Sequence, residues 1–331
     1  MNISSNPDTT IVIPNHNGAC WLPECLTSLR AQTLAPGEVI MVDNGSTDGS
    51  VDIAKKIIPT LNIIALSDNR GFAAAVNIGI RAARSEYIGL LNTDTSARPD
   101  WLLHLHDAIK SAPPSVGGVA SRMVDMRNPG IIENAGDLLS WHGMAAKRGH
   151  GHPAGDFNSA TGVFSPCAGA ALYRRSFLHE AGLFDEHFFA YLEDIDIGFR
   201  GHWLGYSFQY VPEAVILHHG HGAAMPSRRY VELITRNRLL VLFKNLPVKS
   251  LVRHAHHIAY GQLFYLMAYR HPLHVLRGWI SFLSLARHVR MSRTWLRQHR
   301  KVDASEVEQW MTSAHLERKP WSRRQQPPTP G

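Results

Sequence analysis

The chain has 331 residues, enough for one large domain with an appendage or for two domains of ordinary size. A hydrophobic fraction of 44% and a charged fraction of 18% exclude a largely disordered protein. The net charge of +7 indicates an anionic partner, and it does not distinguish a phosphorylated substrate from a nucleic acid or an acidic membrane.

The first part of the chain alternates strand and helix signals. Short apolar runs predict strands at 10–14, 39–43, 61–66 and 87–91. Apolar residues at helical spacing predict helices at 22–29, 72–83 and 101–109. Strands that are apolar on both faces and alternate with helices imply an α/β fold, with a mostly parallel sheet flanked by helices.

Two acidic residues lie where strands of this sheet end. Asp43 closes the second strand and Asp94 follows the fourth, and such sheets bind ligands beyond the carboxyl ends of their strands. Asp43 is either a turn residue that satisfies backbone groups or an acceptor for N3–H of a uracil or thymine base. Asp94, in Asn92-Thr93-Asp94, is either a cap or a ligand for a divalent cation that holds a diphosphate.

A third acidic group, which includes Glu193, Asp194 and Asp196, lies at the start of a predicted helix. Acidic residues suit the N-terminal end of a helix, and Asp196 can pair with Arg200 four positions later. The apolar residues before Glu193 favour a position at the edge of a site instead. Apolar surroundings raise the pKa of a carboxylate and allow it to act as a general base.

These segments, in this order, resemble the family-two glycosyltransferases, the inverting family with the GT-A fold, and most closely bacterial rhamnosyltransferase-type enzymes of cell-surface glycan synthesis. The resemblance covers about residues 8–245. It is carried by Ile11-Val12-Ile13-Pro14-Asn15-His16-Asn17-Gly18, Val42-Asp43-Asn44-Gly45-Ser46-Thr47-Asp48-Gly49, Asn69-Arg70-Gly71-Phe72-Ala73 with Asn77 and Gly79, Leu91-Asn92-Thr93-Asp94, Gly169-Ala170-Ala171-Leu172-Tyr173-Arg174-Arg175, Gly182-Leu183-Phe184-Asp185-Glu186, and Glu193-Asp194-Ile195-Asp196 with Arg200.

The resemblance assigns roles to individual residues. It implies that Asp194 is the catalytic base, with Glu193 as a supporting or acceptor-binding acid, and that Asp94 is a ligand of Mg²⁺ or Mn²⁺. It implies a nucleotide site formed by Pro14, Asn15, Asn17, Asp43, Asn69, Gly71, Asn77, Asn92 and Thr93. Asn92 departs from the family's Asp-x-Asp motif, because a neutral amide stands where the first acid is expected.

A histidine cluster, His218-His219-Gly220-His221, follows a predicted strand downstream of the acids. Read alone, such a cluster is more often structural or on the surface. The resemblance implies that His218 completes the metal shell or contacts the diphosphate. Farther along, Arg228, Arg229, Arg236 and Asn237 either reach phosphates or form a solvated basic helix face.

After about residue 226 the chain becomes basic and helical, with helices predicted at 228–245, 250–269 and 273–300. Arg277, Arg287 and Arg290 lie near an apolar stripe that includes Trp279, which suits the interface of an anionic membrane. The same stripes would serve a homodimer or pack on the catalytic domain. The predicted organisation is a catalytic domain at 1–225, a helical region at 226–316 and a disordered tail at 317–331.

Several features indicate a cytoplasmic protein, peripheral on the inner face of the membrane. The cysteines Cys20, Cys25 and Cys167 are odd in number and lack metal-type spacing, which favours a reducing compartment. The N-terminus lacks the basic start and apolar core of a secretory signal. Apolar runs remain shorter than the roughly 18 residues of a spanning helix.

The predicted reaction is the inverting transfer of rhamnose or a hexose from a dTDP- or UDP-sugar to a hydroxyl of a glycan or lipid-diphosphate-linked glycan. A catalytically inactive protein that binds glycans or nucleotide sugars is the alternative. The turn at 14–18 lacks the Gly-x-Gly-x-x-Gly pattern of a Rossmann dehydrogenase. Nucleic-acid binding is not predicted, because only the net charge favours it.

Overall fold

The computed structural model describes residues 4–220, 227–314 and 316. The expected disordered tail at 317–331 and His221 of the histidine cluster lie outside the described residues. The strands are β1 (Ser4–Asn15), β2 (Leu34–Asn44), β3 (Asn62–Leu66), β4 (Tyr87–Leu91), β5 (Thr95–Ala97), β6 (Val116–Asp125), β7 (Ile132–Asn134), β8 (Asp137–Ser140), β9 (Ala145–Lys147), β10 (Thr161–Val163), β11 (Ala170–Arg174), β12 (Ser207–His218) and β13 (Met311–Thr312).

The α-helices alternate with the strands in the first part of the chain and follow one another after β12. They are α1 (Leu22–Arg30), α2 (Ser50–Ile57), α3 (Phe72–Ala82), α4 (Trp101–Ser111), α5 (Arg175–Glu180), α6 (Glu193–Trp203), α7 (Ser227–Asn245), α8 (Val248–Arg253), α9 (Ala255–Ala268), α10 (Pro272–Ser284), α11 (Ala286–His299) and α12 (Ala304–Glu308). Short 3-10 helices lie at Ala154–Phe157 and Glu186–Phe188.

The strands and helices predicted for the first part of the chain are confirmed, and two predictions for the second part are wrong. The helices predicted at 250–269 and 273–300 are each broken in two, near His254 and Leu285. Neither break has a proline or glycine, so apolar spacing could not locate it. The strand predicted before His218 is β12, whose register shifts between Val211 and Val215. Pro212 lies in that shift, where a proline cannot donate to the ladder.

The main sheet has ten strands, with the order β10-β12-β6-β11-β4-β1-β2-β3 along its path, while β5 pairs with β12 and β7 with β6. The β1–β2, β1–β4, β2–β3 and β6–β12 pairs are parallel. The predicted mostly parallel sheet is therefore confirmed. The sequence did not indicate that β11 runs antiparallel between β4 and β6. A small second sheet has the order β13-β8-β9.

Helices cover both faces of the main sheet because successive side chains of a strand point to opposite faces. Ile11 and Ile13 of β1 belong to one apolar cluster, which also contains residues of α1 and α4. Val12, between them, belongs to the other cluster, with residues of α3. The arrangement leaves the carboxyl ends of β1, β2 and β4 together at one edge.

A third apolar cluster joins the second part of the chain to the first. It contains Phe199 and Trp203 of α6 together with Leu240 and Leu242 of α7, all of them buried. The second half of α7 therefore packs against α6. Within the described ranges, no helix is both long enough and apolar enough to cross a bilayer.

Candidate active site

Asn15 and Asp43 lie side by side at the ends of β1 and β2, where they are register partners. The Asn15 amide donates a 2.7 Å hydrogen bond to Asp43 Oδ1, and the Ser46 backbone N–H donates to Asp43 Oδ2 at 3.2 Å. Both side chains are almost completely buried. A carboxylate has about four acceptor positions, so the Asp43 carboxylate is fixed in place and can still accept another hydrogen bond.

The turn after β1 is tied to the turn after β2 through Asn17. Its side-chain oxygen accepts from the Thr47 backbone N–H at 2.9 Å, and its own N–H donates to Ser46 Oγ at 2.9 Å. Asn17 has a positive φ of 52°, a conformation that asparagine tolerates better than most residues. Pro14, just before this turn, is half-buried. The turn is therefore a rigid, largely polar edge to the site.

The segment after β3 brings Asn69 and Gly71 to the same edge. Asn69 Oδ1 accepts from the Asn44 amide at 3.1 Å and from the Gly71 backbone N–H at 2.9 Å. Gly71 has a φ of +88°, and a Cβ there would lie 2.4 Å from the carbonyl oxygen of Phe189. Only glycine allows this close approach, which brings the segment against the loop that precedes Glu193.

Asn77 does not take part in the site, and its predicted nucleotide contact is not supported. Its amide donates to the Phe184 carbonyl at 2.8 Å and to Glu186 Oε1 at 2.9 Å, while its oxygen accepts from the Phe184 N–H at 3.0 Å. The side chain is 1% exposed. Both N–H groups are thus used within the protein, and Asn77 holds the segment around Phe184 against α3.

Asn92, Thr93 and Asp94 continue from β4 at the centre of the same edge. The Asn92 backbone N–H donates to the Gly169 carbonyl at 2.8 Å. Thr93 and Asp94 are buried, whereas Asn92 is partly exposed. The Ala168 N–H, next to Gly169, donates at 3.4 Å to Oδ2 of Asp194. One short turn therefore links the Asn92–Asp94 segment to the second group of acids.

Asp94 lies in a row of charged groups. Its Oδ2 is 3.1 Å from Nε2 of His218, whose Nδ1 is 3.4 Å from Oε2 of Glu133. Glu133 also pairs with the ammonium of Lys147. Burial lowers the pKa of His218, but Asp94 and Glu133 outweigh it and raise that pKa to about 9. Although burial opposes it, His218 and Lys147 lower the pKa of Glu133 to about 2.

Glu133 and Lys147 were not predicted from the sequence. They lie in an irregular region without a recognisable motif, and only pairing of β6 with β7 and of β8 with β9 brings them to the site. His219, by contrast, lies against Trp21, with ring centroids 4.4 Å apart, and pairs with Glu24 at 3.2 Å. Of these two histidines, His218 contacts the predicted site through its side chain, and His219 contacts it through its backbone N–H, which donates to the Asp94 carbonyl at 3.0 Å.

Glu193 and Asp194 begin α6. Glu193 is buried, and burial followed by the charge of Asp194 raises its pKa well above the usual range. Asp194 is partly exposed, and burial of most of its carboxylate raises its pKa as well. Its Oδ1 accepts from the Ile195 N–H at 2.9 Å. Asp194 is thus a fixed and accessible carboxylate with increased basicity, as a general base requires.

Asp137 is a further buried acid near Asp194 that the sequence did not indicate. It accepts hydrogen bonds from Asn134 at 2.9 Å and from Ser165 at 3.2 Å. Burial, and then the charge of Asp194, raise the pKa of Asp137 well above its usual range. Asp137 is more fully buried than Asp194. At neutral pH, a negative charge shared by the two carboxyl groups therefore favours Asp194.

The loop before Glu193 has an unusual backbone. Phe189, Tyr191 and Leu192 have φ values of 63°, 74° and 69°, a left-handed region that costs a non-glycine residue about 1–2 kcal/mol. The Asn237 amide holds the loop, donating to the carbonyls of Phe188, Ala190 and Tyr191 at 3.0, 2.9 and 2.8 Å. Strain of this kind persists only where the surroundings impose it, and it clusters at functional sites.

Arg236 joins Asn237 in this role. Its Nη2 donates to the carbonyls of His187 and Phe188 at 2.7 and 2.8 Å, and its Nε donates to Asn237 Oδ1 at 2.9 Å. Arg229 pairs instead with Glu232 at 3.0 Å. The suggestion that Arg236 and Asn237 reach phosphates is therefore replaced by a structural role in which α7 holds the loop.

A second buried network fixes α6 to α7. Asp196 pairs with Arg200 at 2.9 Å, as the spacing of these residues indicated, and with Lys244 at 2.8 Å. Lys244 also pairs with Asp185 at 2.5 Å, and Asp185 lies 2.6 Å from Nε2 of His288 on α11. The acids of α6 thus divide between two roles: Glu193 and Asp194 face the site, and Asp196 is structural.

Known proteins are similar to this chain over much of its length. Residues 10–182 match the family model described as Glycosyl transferase family 2. A relative, the N-acetylglucosaminyl-diphospho-decaprenol L-rhamnosyltransferase of Mycobacterium tuberculosis, is 29% identical over 234 residues, which cover 63% of this chain and 75% of that protein.

Solved structures share the fold at low sequence identity. The mannosyltransferase PcManGT from Pyrobaculum calidifontis, in complex with GDP-Man and Mn²⁺, has a TM-score of 0.52 and 17% identity, covering 92% of this chain and 87% of that chain. S. aureus TarS 1-349, in complex with UDP-GlcNAc, has a TM-score of 0.54 and 16% identity, covering 91% of each chain. At these identities the likeness establishes the fold alone.

Proposed function

Since this chain belongs to glycosyltransferase family 2, we propose that it transfers a sugar, with inversion, from a nucleoside diphosphate to a hydroxyl of a glycan or lipid-linked glycan. The predicted family, the GT-A fold and the enzyme class are confirmed. The name of the mycobacterial relative supports rhamnose as the sugar and a lipid-diphosphate-linked glycan as the acceptor. A dTDP- or UDP-sugar remains the proposed donor.

The observation that carries the proposal is the position of Asp194. This carboxylate is partly exposed, has a raised pKa and is tied through the Ala168 N–H to the turn beside Asn92. Asp194 takes the proton of the acceptor hydroxyl as that oxygen attacks the anomeric carbon. Glu193, buried beside it, stays protonated and keeps the negative charge on Asp194. Asp43, Asn15, Asn69 and Gly71 hold the nucleotide.

The proposed metal ligands fit a divalent cation such as Mn²⁺ or Mg²⁺. Asp94 Oδ2 and His218 Nε2 lie 3.1 Å apart, close enough to share one cation, which would displace the proton that the raised pKa of His218 leaves on its imidazole. Carboxylate oxygen with one imidazole suits Mn²⁺ better than Mg²⁺. A cation held by Asp94 and His218 would neutralise charge on the leaving diphosphate. Asn92 offers an amide oxygen in place of the first acid of the motif.

Asp194→Asn tests this function. Transfer, measured as release of nucleoside diphosphate with a panel of nucleotide sugars and Mn²⁺, should fall by at least about a thousandfold. Donor affinity, measured by calorimetry, should stay within about threefold, because Asp194 does not touch the nucleotide. Turnover close to that of the wild type would remove Asp194 from this role. Donor binding without any turnover in the wild-type chain would favour the inactive binding protein instead.

We also propose that α8–α10 lie against an anionic membrane. Large apolar side chains on these helices are exposed, among them Val252 at 70%, Leu273 at 69% and Leu283 at 67%. Arg277 on α10 and Arg287 on the neighbouring α11 are also exposed, and their positive charges suit acidic headgroups. Flotation with phosphatidylglycerol vesicles should retain the protein, and Leu273→Ser/Leu283→Ser should release it. A stable dimer in solution without flotation would identify this face as a homodimer contact.

A further inference from the structure

A cavity of about 300 Å³ lies among α6, α8 and α11, away from the proposed transfer site. Trp203, at the end of α6, lines it together with Leu246, Val248 and Leu296. Glu193 stands at the other end of α6, about 15 Å away at 1.5 Å per residue. None of the proposed catalytic or nucleotide-binding residues lines the cavity, so a ligand bound here leaves the transfer site free.

The cavity carries three arginines from one helix and the residue after it. Arg293, Arg297 and Arg300 line the same side, as expected for residues spaced four and three apart. Arg293 is held in place, because its Nη1 donates to the carbonyls of Phe243 and Leu246, both at 2.6 Å. Arg297 and Arg300 are exposed at the mouth. One fixed and two adjustable guanidinium groups therefore surround the opening.

These arginines are not neutralised within the described part of the chain. No carboxylate there lies within 4 Å of any of the three, whereas Lys244, the remaining cation of the lining, is paired with Asp185 and Asp196. Burial and then the charge of Arg297 lower the pKa of Arg293. The like charges repel one another, and a bound anion would remove that repulsion.

We propose that this cavity binds a phosphate or diphosphate ester. Guanidinium groups present parallel N–H donors that match phosphate oxygens, and the apolar lining accommodates the group that the phosphate carries. Val248, which lines the cavity, is 64% exposed, and Val252 one turn later is 70% exposed. A lipid headgroup and a soluble pyrophosphate share the recognised chemistry. The site does not depend on the transfer reaction, because it shares no residue with it.

The test compares two double variants of the full chain with equal net charge. Arg297→Gln/Arg300→Gln removes the two exposed cavity arginines, and Arg30→Gln/Arg84→Gln removes two exposed arginines that lie outside both the cavity and the proposed membrane face. Calorimetry with inorganic pyrophosphate in EDTA, which removes divalent cations, measures the soluble ligand. Flotation with vesicles of phosphatidylcholine containing phosphatidic acid measures the lipid headgroup.

Each charge-assisted hydrogen bond contributes about tenfold in affinity, so the cavity variant should bind its ligand about a hundredfold more weakly than the control variant. A selective loss of pyrophosphate affinity identifies a soluble ligand, and a selective loss of vesicle binding identifies a lipid headgroup. Equal behaviour of the two variants in both assays overturns the proposal. Transfer to a soluble acceptor should be unchanged in the cavity variant, which separates this site from the proposed function.

Discussion

Asn237→Ala should impair catalysis more than its effect on stability explains. The substitution removes the amide that holds the carbonyls of Phe188, Ala190 and Tyr191. A net contribution of about 1 kcal/mol for each hydrogen bond, with buried carbonyls left unpaired, gives a loss of about 2–4 kcal/mol in the free energy of unfolding. Tyr191 and Leu192 are then free to leave the left-handed region, in which they are strained.

Relaxation of this loop moves Glu193 and Asp194, which follow it directly. A displacement of about 1 Å at a catalytic group can lower the rate a hundredfold, so kcat should fall by about ten- to a hundredfold while the donor KM changes little. Urea unfolding measures the loss in the free energy of unfolding. Steady-state kinetics, well below the melting temperature, measure the fall in kcat. Asn245→Ala is the matched control, because its amide donates to Asp196 and Val241 and does not touch the loop. Equal kcat in the two variants, at equal loss of stability, would refute the reasoning.

Three further outcomes are expected. Asn92→Asp introduces an acid beside the proposed metal site and should tighten Mn²⁺ binding, measured by calorimetry, by about tenfold. An unchanged Mn²⁺ affinity would exclude residue 92 from the metal's ligands. Gly71→Ala should lower the free energy of unfolding by about 2–4 kcal/mol. The control Gly49→Ala should lower it by less, because a Cβ at Gly49 meets nothing within 4 Å. Equal losses would contradict the close contact between Gly71 and the Phe189 carbonyl. Burial lowers the pKa of His202 from 6.5 to about 4. The unfolded chain therefore binds this proton first, and about 3 kcal/mol of stability should be lost as pH falls from 6.5 to 4. His202→Gln should flatten that part of the urea-midpoint curve, and an unflattened curve would assign the loss to other groups.

The sequence predicted those parts of the fold that depend on local patterns. The strands β1 to β4 and the helices between them have clear apolar periodicity, and their polar ends follow directly from strand direction. The antiparallel strand β11 escaped prediction because its direction depends on pairing with β4 and β6. Apolar content alone does not encode the direction of a buried strand.

The site shows the same limit. Asp43 and Asp94 could be placed at one edge of the sheet, since both end parallel strands. Glu133 and Lys147 could not, because they reach His218 only through short strands far from it in sequence. Asn77 was misassigned for a related reason. Its amide is used by Phe184, more than a hundred residues away, and no local pattern shows which distant carbonyl a buried amide will meet.

Helix α7 contacts the candidate active site, although its composition placed it in a separate basic region. Its residue Asn237 holds the loop that contains Phe189 and leads into Glu193. The carbonyl of Phe189, in turn, lies where a side chain at Gly71 would be. The nucleotide-side segment, the acids and α7 are thus joined through one strained stretch of backbone. Packed interiors change between discrete arrangements rather than deforming continuously. A displacement of α7 must therefore either break the hydrogen bonds of Asn237 or carry the loop, and with it the proposed catalytic acids, to a new position.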